Sequence, residues 1–318
     1  MSRPDVSVCI VTCNQRDFIE TCIRSITMQE VQARLHVLVG DDASDDGTSE
    51  IITRLAGEFP GLIQHLRREA RLGAMANMRD LMARADGEFV ARTDGDDYWL
   101  PGKLQRQLDY LQAHPDCAAL YTNAITVDEA GNRIGLFNDV GDARFDLPAM
   151  LRRGNFLNNS SVLFRFEGRQ AWLGIDGPLI DYRAHLWHAR SGWLGHIGEP
   201  LTAYRVNTRG SMVAQMNDRV RELYWEAIQS VPRELVADDD YSKGVADFLR
   251  RVFFRAARTR RWDLFWGWRT RAQGTVPCNT WRLDALTAAS IARIAAKEAS
   301  GRLRHDGNGK PLRVLYRR

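Results

Sequence analysis

Two groups of acidic residues stand where apolar runs of the sequence give way to polar ones. Asp41 and Asp42 close one apolar run, and Asp94-Gly95-Asp96-Asp97 closes another. Carboxylates this close together repel each other unless something cationic joins them. Their oxygens are hard ligands that suit Mg²⁺ or Mn²⁺, and such an ion usually keeps positions open for substrate phosphates. The spacing therefore indicates metal-assisted chemistry on a phosphate or diphosphate, whose departing charge the metal would stabilise.

The first acidic group has other interpretations. Asp and Gly are ordinary turn residues, so residues 41–47 fit a solvated turn about equally well. The run Asp42-x-Ser44-x-Asp46 begins like an EF-hand calcium loop, but its twelfth position is Thr53 rather than the bidentate Glu, which excludes that class. Neither a G-x-G-x-x-G fingerprint nor a Walker A motif follows the first apolar run, so these nucleotide-binding motifs are excluded as well.

The elements that must position the acidic groups alternate in type. Apolar, β-branched runs predict strands at residues 6–11, 35–40, 62–66 and 88–93, and apolar residues at helical spacing follow each of the first three. This alternation predicts an α/β fold, a mostly parallel sheet with helices on both faces. Ligands bind outside the carboxyl ends of such strands. The residues after the first, second and fourth strands should therefore share one site.

The rest of the chain changes character near residue 211. A helix after Pro101, a strand at 118–124, a hairpin at 125–137, a strand at 160–166, a helix at 181–190 and two short strands within 193–204 are expected. Strand signals then stop. The helices expected in the last third span residues 220–231, 241–259, 262–271 and 281–297. We predict a catalytic domain at 1–214 and a basic, mainly helical region at 215–318.

The sequence predicts a cytoplasmic protein. The 318 residues are 44% hydrophobic and 26% charged, and no apolar run approaches the ~18 residues of a membrane span. The N-terminus lacks the apolar stretch of a secretory signal. The five cysteines are scattered without a C-x-x-C pair, which is typical of neither a disulfide framework nor a zinc site.

Charge is divided unevenly along the chain. Residues 241–318 hold 18 Lys and Arg against 5 Asp and Glu, whereas the remainder holds 26 basic against 35 acidic residues. The apolar positions 245, 248, 249, 252 and 253 form one stripe, with arginines largely off it. Such a helix can pack into a core or a dimer interface, which we favour, or lie on an anionic membrane surface. No nucleic-acid module is present, and we predict no nucleic-acid partner.

Five segments in order resemble the inverting, GT-A-fold glycosyltransferases of family 2. Residues 6–14 (VSVCIVTCN) resemble the opening strand of that family, and residues 39–48 (VGDDASDDGT) resemble its second-strand motif. Residues 72–77 (LGAMAN) are similar to its loop-and-helix motif. Residues 86–90 (DGEFV) and 94–104 (DGDDYWLPGKL) resemble its DxDD-x-W block. Weaker likenesses follow at residues 156–165, 180–182 and 204–211.

The resemblance implies a role for each matching residue. Thr12, Asn14 and Asp42 would lie around the base and ribose of a nucleotide. Asp96 would coordinate Mn²⁺ or Mg²⁺, with Asp94 near both metal and ribose. The residues expected to contact the nucleotide sugar are Thr12, Asn14, Asp42, Asn77, Asp94, Gly95 and Arg205. Asp181 would be the general base that deprotonates the acceptor hydroxyl. A helix N-cap is the alternative for Asp181, and Asp176 is a competing base.

Two residues depart from the family pattern. Cys13 replaces an aromatic residue that is common in the first motif, which weakens the case for stacking on the base there. Asn207 replaces the usual His of the closing motif, and an amide is a poor metal ligand. Arg205 or Arg209 would then supply the diphosphate contacts. The segment 258–262 lacks the Gln of the QxxRW motif of processive synthases, which favours single-sugar transfer.

The resemblance implies transfer of one sugar from a nucleotide-sugar donor, with a UDP-sugar favoured. The acceptor would be a hydroxyl of a saccharide or lipid-linked molecule, and the transfer would invert the anomeric carbon during cell-envelope polysaccharide or glycoconjugate synthesis. The C-terminal helices would contact the inner membrane surface peripherally or form a homodimer. A catalytically impaired scaffold is one alternative, because of Asn207. A nucleotidyltransferase is the other, although its Gly/Arg-rich loop is missing after the first strand.

Overall fold

A computed structural model describes residues 4–175, 177–206, 217–301 and 313–316. Strands and helices alternate through the first part of the chain, because short β-branched runs give way repeatedly to apolar residues at helical spacing. The elements up to residue 113 are β1 (Val6–Thr12), α1 (Ile19–Thr27), β2 (Leu35–Asp41), α2 (Thr48–Glu58), β3 (Ile63–Arg67), α3 (Ala74–Arg84), β4 (Phe89–Asp94), β5 (Tyr98–Trp99) and α4 (Lys103–Ala113).

The second part of the chain completes the sheet and then turns helical. Its elements are β6 (Cys117–Val127), β7 (Arg133–Asn138), β8 (Ala143–Phe145), α5 (Leu147–Arg153), β9 (Leu163–Arg165), α6 (Gln170–Leu173), α7 (Asp181–Ser191), β10 (Trp193–Arg205), α8 (Asn217–Gln229), α9 (Asp238–Thr259), α10 (Trp262–Gln273), α11 (Thr280–Gly301) and β11 (Val314–Tyr316). The four helices after residue 216 lie where the spacing of apolar residues predicted them.

The described strands form one mixed sheet. Its central path runs β11-β7-β6-β9-β4-β1-β2-β3, and the half that comes first in the sequence, β3-β2-β1-β4, is parallel throughout. β9 lies antiparallel between β4 and β6. The predicted hairpin is confirmed, since β6 and β7 pair antiparallel. The α/β class and the GT-A type of sheet expected from the sequence are therefore confirmed.

Each central strand sends alternate side chains to two separate cores. In β1, Val6, Val8 and Ile10 pack on the face covered by α1, α2 and α4, while Cys9 and Val11 face α3 and the later helices. All five side chains are buried, as the period of two requires for a strand covered on both faces. Because β1, β2 and β4 run parallel, their carboxyl ends lie at a single edge of the sheet.

Two expectations about the later strands need correction. The strand expected at 160–166 is shorter, because Asn159–Ser161 forms a turn of 3₁₀-helix and only Leu163–Arg165 is extended. The two strands expected within 193–204 are one long strand, β10, whose pairing with β6 shifts register around Pro200. A proline has no N–H to give to the ladder, so the irregularity is local.

Strand structure also returns after the helices. β11 pairs with β7 in parallel, and Leu136 N–H donates to the Arg313 carbonyl at 2.9 Å. A Cβ on Gly135 would lie 2.0 Å from that carbonyl oxygen, so glycine is what permits the approach. Three residues with no partner nearby in the sequence carry no strand signal of their own, which is why the pattern missed β11.

The C-terminal helices pack against the part of the chain that carries the sheet. The stripe on α9, which includes Val245, Phe248, Leu249 and Val252, is buried in the same core as α5 and α7. Core packing of this stripe was the favoured prediction and is what the structure shows. The domain boundary at residue 214 stays a prediction. Among the described residues, no helix combines the length and the apolar character that crossing a membrane requires.

Candidate active site

The acidic loop after β4 sits against the end of β1. Gly95 N–H donates to the Val11 carbonyl at 2.9 Å, and Thr12 Oγ1 donates to Gln15 Oε1 at 2.8 Å. A Cβ on Gly95 would lie 2.6 Å from Gln15 Oε1 and 2.9 Å from Thr12 Cβ. Only glycine lets the loop come this close. The structure therefore brings Thr12, Gly95 and the flanking aspartates together at this edge of the sheet.

Asn14 joins the loops that follow β1 and β2. It takes a left-handed backbone conformation with φ 52°, which Asn tolerates better than most residues. Its side-chain amide donates to Asp45 Oδ1 at 2.8 Å, and its side-chain oxygen accepts from Asp45 N–H at 3.0 Å. Asn14 is exposed. It therefore lies at the mouth of the site, where a donor nucleotide is expected.

Asp42 fixes the backbone that forms one wall of the site. Its two carboxylate oxygens accept hydrogen bonds from the backbone N–H groups of Leu72, at 2.7 Å, and Gly73, at 2.9 Å. Asp41 and Asp42 are both buried, so the interpretation of this segment as a solvated turn is wrong for these two residues. Asp42 fixes the loop before α3 beside the end of β2, and this backbone forms one side of the expected nucleotide site.

Asn77 lies beneath the site rather than on its surface. It is fully buried, its amide donates to the Gly40 carbonyl at 2.7 Å, and its side-chain oxygen accepts from the Arg68 guanidinium at 3.0 Å. A Cβ on Gly40 would lie 2.4 Å from that oxygen. The geometry corrects the predicted direct contact with a donor, since both polar atoms are used in holding α3 against β2.

Arg92, which belongs to none of the motifs in the sequence, lies at the centre of the site. Its side chain is 10% exposed and donates to Asp94 Oδ1 at 2.9 Å. Its Nε and Nη1 atoms are buried and have no hydrogen-bond partner among the described residues. Although burial opposes it, the negative charges of Asp94 and Asp181 raise the pKa of Arg92. One feature of the sequence could have identified Arg92. It is an arginine in an apolar strand, two residues before Asp94, and residues two apart in a strand point to the same face.

The carboxylates of the acidic loop are crowded. Burial raises the pKa of Asp94, and the Asp181 carboxylate raises it further, against the effect of Arg92. Burial, together with Asp96 and Asp94, raises the pKa of Asp97 strongly. Burial and repulsion between neighbouring carboxylates both disfavour the ionised forms, and a cation bound beside them would favour those forms.

Asp181 opens α7 and faces a turn that also touches the acidic loop. The N-cap position belongs to Ile180, so the N-cap alternative for Asp181 is wrong. Its Oδ1 accepts from the Asn159 side-chain amide at 2.6 Å. In the same turn, Ser160 Oγ accepts from Asp94 N–H at 3.2 Å. The turn at Asn159–Ser161 thus joins the predicted base to the predicted metal ligands. The competing base Asp176 lies outside the described residues.

The Arg205 side chain donates its hydrogen bonds to backbone carbonyls of the surrounding loops. Its own N–H donates to Asp97 Oδ1 at 2.8 Å, its Nε donates to the Asp96 carbonyl at 3.1 Å, and its Nη1 donates to the carbonyls of Asp128 and Glu129. It is buried. This geometry favours a positioning role for the acidic loop over the direct donor contact that was predicted. The other predicted residues of this motif, Asn207, Arg209 and Ser211, lie outside the described residues.

A buried polar cluster supports the site from the core. His185 lies one turn after Asp181 on α7, and the Tyr121 hydroxyl lies 2.7 Å from its Nδ1. His188 Nε2 lies 3.0 Å from the Gly168 carbonyl oxygen. Burial lowers the pKa of both histidines to about 3, and the charge of Arg92 adds to this for His185. Both imidazoles are therefore neutral at physiological pH.

A second buried network links the helical region to the turn that holds the base. Asp247, on α9, is 1% exposed and accepts from the guanidinium groups of Arg250 and Arg251. Arg251 Nη2 donates to the Asn155 carbonyl at 3.1 Å, and the Tyr224 hydroxyl accepts from Asn155 N–H at 2.8 Å. Residue 155 lies only four positions before the Asn159–Ser161 turn. The C-terminal helices thus fix the segment that carries Asn159.

Comparison with known proteins agrees with this geometry. The model of the family described as "Glycosyl transferase family 2" matches residues 7–161 of this chain. A protein of Mycobacterium tuberculosis (strain H37Rv), itself uncharacterized, is 29% identical over 70% of this chain and 64% of its own length. The chain therefore spans under two thirds of that relative. TuaG of Bacillus subtilis (strain 168), whose name assigns it to teichuronic acid biosynthesis as a glycosyltransferase, is 26% identical over 71% of this chain and 84% of its own.

Solved structures share the fold. Residues 1–349 of S. aureus TarS in complex with UDP-GlcNAc superpose with a TM-score of 0.65 at 14% identity, covering 95% of this chain and 94% of that one. The Pyrobaculum calidifontis mannosyltransferase PcManGT, in complex with GDP-Man and Mn²⁺, superposes with a TM-score of 0.54 at 19% identity, covering 95% and 81%. These likenesses extend over the helical C-terminal region as well as the sheet.

Proposed function

Because this chain belongs to glycosyl transferase family 2, we propose that it transfers a single sugar from a nucleotide-sugar donor to a hydroxyl group, with inversion at the anomeric carbon. The strongest support is the turn at Asn159–Ser161. It touches the Asp94 backbone on one side and the Asp181 carboxylate on the other, so the groups expected to hold the diphosphate and to deprotonate the acceptor belong to one rigid assembly.

The residues of the acidic loop fit a divalent metal ion. Asp94 and Asp96 offer oxygen donors. Burial and neighbouring carboxylates raise the pKa values of Asp94 and Asp97, and a bound cation would lower them. Among the described residues, no group of three or more His, Cys, Asp or Glu side chains is arranged to hold a metal. Two carboxylates suit Mg²⁺ or Mn²⁺, which fill their remaining positions with water and phosphate oxygens. When bound, such an ion would neutralise charge on the departing diphosphate.

The protein's own groups carry the rest of the reaction. The Asp181 carboxylate, held by the Asn159 amide, accepts the proton of the acceptor hydroxyl as the oxygen attacks the anomeric carbon. The bond to the diphosphate breaks on the opposite side of that carbon, so one displacement inverts its configuration. Arg92 holds the Asp94 carboxylate in place and keeps positive charge buried beside both aspartates.

The donor's nucleotide would occupy the edge of the sheet. Thr12 and Asn14 lie after β1, and the backbone fixed by Asp42 closes the other side. The UDP-GlcNAc bound by TarS favours a UDP-sugar here, while the GDP-Man and Mn²⁺ bound by PcManGT favour the same general site and a divalent ion. Asn77, Gly95 and Arg205 support this site by positioning its loops.

The acceptor is proposed to be a saccharide or a lipid-linked molecule of the cell envelope. TuaG, named for teichuronic acid biosynthesis, supports a role in polysaccharide or glycoconjugate synthesis. An enzyme with such an acceptor and a cytoplasmic nucleotide sugar would work at the inner face of the cytoplasmic membrane.

A donor screen tests this function. Purified protein is mixed with UDP- and GDP-sugars, with and without Mn²⁺, and donor binding is read as a rise in melting temperature. A ligand at 100 times its Kd stabilises the folded state by about 2.7 kcal/mol. The donor that binds is then assayed for release of its nucleoside diphosphate. We expect Asp96→Ala to lower Mn²⁺-dependent turnover at least 100-fold, while Asp238→Ala, at a side chain that is 76% exposed on α9, leaves it unchanged.

The outcomes separate the alternatives. Full turnover by Asp96→Ala would overturn the metal assignment. Donor binding without turnover by the unmodified protein, across saccharide and lipid-linked acceptors, would favour the scaffold. Release of inorganic pyrophosphate from a nucleoside triphosphate and a sugar phosphate would establish the nucleotidyltransferase instead.

A further inference from the structure

Five aromatic rings gather on the outer side of the α9–α10 hairpin. Phe253 lies 5.8 Å from Phe254, 5.6 Å from Trp262 and 5.6 Å from Phe265, and Phe265 lies 5.2 Å from Trp266. Trp262 is 45% exposed and Trp266 is 57% exposed. We call these five residues the aromatic patch. It is contiguous, because each ring contacts at least one other.

Three rings of the aromatic patch are partly buried, and Phe265 packs against the main core, whereas Trp262 and Trp266 are exposed. The apolar stripe of α9 already packs into the main core, as does Trp268 of α10. Trp262 and Trp266 lie off that stripe and expose about half of their surface to water. Contiguous exposed apolar surface is uncommon on a protein that has no partner for it. The two exposed rings therefore indicate a partner rather than a packing requirement.

Arginines are frequent in the segment of the chain that carries the aromatic patch. Residues 253–266 contain Arg255, Arg258, Arg260 and Arg261 against a single acidic residue, Asp263. The charges of Arg255 and Arg261 lower the pKa of Arg221 on α8, after burial as the larger cause. The Nε atom of Arg221 is buried and has no hydrogen-bond partner among the described residues.

The acidic groups nearby compensate only part of this charge. Asp218 pairs with Arg221, and Asp263, at 72% exposed, lies 3.4 Å from Arg261. Glu222 is already paired with Arg271. The segment that carries the exposed indole rings thus contains more guanidinium groups than carboxylates.

The turn between the helices adds a second sign of use. Arg260 ends α9 in a left-handed backbone conformation, with φ 57°. Glycine or asparagine is the ordinary residue at such a helix end, because a larger side chain is strained there. A charged side chain kept at a position that favours glycine points to a function for the charge.

We propose that the aromatic patch and its arginines bind the anionic surface of a phospholipid bilayer. Tryptophan rings favour the boundary between headgroups and acyl chains, because one part of the indole is apolar and its N–H is polar. Guanidinium groups at the same level bind lipid phosphates. A protein partner would need shape complementarity, whereas a bilayer needs only this combination of protruding rings and positive charge. The surface deepens the proposed location at the inner membrane face, but it does not depend on which sugar is transferred.

Vesicle sedimentation tests the binding directly. The full chain is mixed with sucrose-loaded vesicles of phosphatidylcholine alone, or of phosphatidylcholine with one quarter phosphatidylglycerol, and the bound fraction is measured at 50 and 500 mM salt. We expect partitioning onto the anionic vesicles to exceed that onto neutral vesicles at least tenfold and to fall in high salt. Trp262→Ala with Trp266→Ala, and separately Arg258→Glu with Arg260→Glu, should each reduce it at least tenfold.

Trp281 gives a matched control. It lies on α11, outside the ring contacts of the patch, and is 70% exposed, so Trp281→Ala should bind as the unmodified protein does. Because all substituted positions are exposed, thermal unfolding should be unchanged. Equal binding to neutral and anionic vesicles, or equal loss with Trp281→Ala, would overturn the proposal. So would a dimer, seen by light scattering, that the patch variants dissociate. Donor-diphosphate release in the same samples reports the sugar-transfer function separately.

Discussion

Replacing Asp181 by asparagine isolates the chemical step from the fold. The change removes one negative charge and almost no volume. The replacement keeps a side-chain oxygen where the carboxylate now accepts from the Asn159 amide at 2.6 Å, so the turn at Asn159–Ser161 should keep its position. What is lost is the ability to take a proton from the acceptor hydroxyl.

The surroundings of Asp181 suggest that the fold will tolerate the change. Its charge raises the pKa of Arg92, by attraction, and that of Asp94, by repulsion. Neutralising it removes both effects, and these oppose each other in the free energy of unfolding. The hydrogen bond from Asn159 becomes one between neutral groups, which costs about 1 kcal/mol. We therefore expect a small change in stability and no change in donor affinity.

The catalytic effect should be much larger. A positioned general base contributes about 10²- to 10⁴-fold to a rate, which corresponds to about 2.7 to 5.4 kcal/mol in the activation barrier. We expect kcat for sugar transfer to fall by that factor, while the thermal shift produced by the donor stays as large as in the unmodified protein.

The assay measures transfer and donor binding on the same preparation. Asp238→Asn makes the same chemical change in the first turn of α9, where the side chain is 76% exposed, and should leave both quantities unaltered. If Asp181→Asn retains more than a tenth of the transfer rate, Asp181 is not the base. If it loses donor binding in proportion to activity, its role is in assembling the donor site.

Two further predictions concern stability. Asp247→Asn leaves two arginines beside it in the core without their carboxylate, so we expect the free energy of unfolding in urea to fall by about 3 to 5 kcal/mol, against little change for Asp238→Asn. His185 and His188 are neutral when folded, with pKa values near 3, but take up protons near pH 6.5 when unfolded. Their stabilising effect is present above that pH and is lost as pH falls, by about 2 kcal/mol for each histidine at pH 5. Urea titrations at pH 8 and pH 5 measure the loss, and His188→Phe should roughly halve it; an unaltered loss would contradict the assignment.

Local sequence patterns predicted many of the elements in the sheet-bearing part of the chain. Apart from β5, strand and helix order up to residue 113 follows from apolar periodicity, because each element is formed by neighbours in the sequence. The acidic loop was equally visible, since its aspartates are adjacent and its glycine marks a turn. The mainly helical C-terminal region was predicted for the same reason. Periodicity missed the short elements β5, β8, α5, α6 and β11. β11 can pair with β7 because Gly135 admits the chain beside it.

The sequence by itself determined that a parallel sheet presents carboxylates at one edge, because the alternation of elements and the loop residues are local properties. Only the tertiary structure decided which polar groups face the substrate and which hold the site together. Asn77 and Arg205 have the residue types of ligands, yet their atoms are used inside the protein. Arg92 and Asn159 looked incidental, yet they contact the two key aspartates. The direction and partners of a polar side chain depend on residues far away in the sequence, and only packing brings those together.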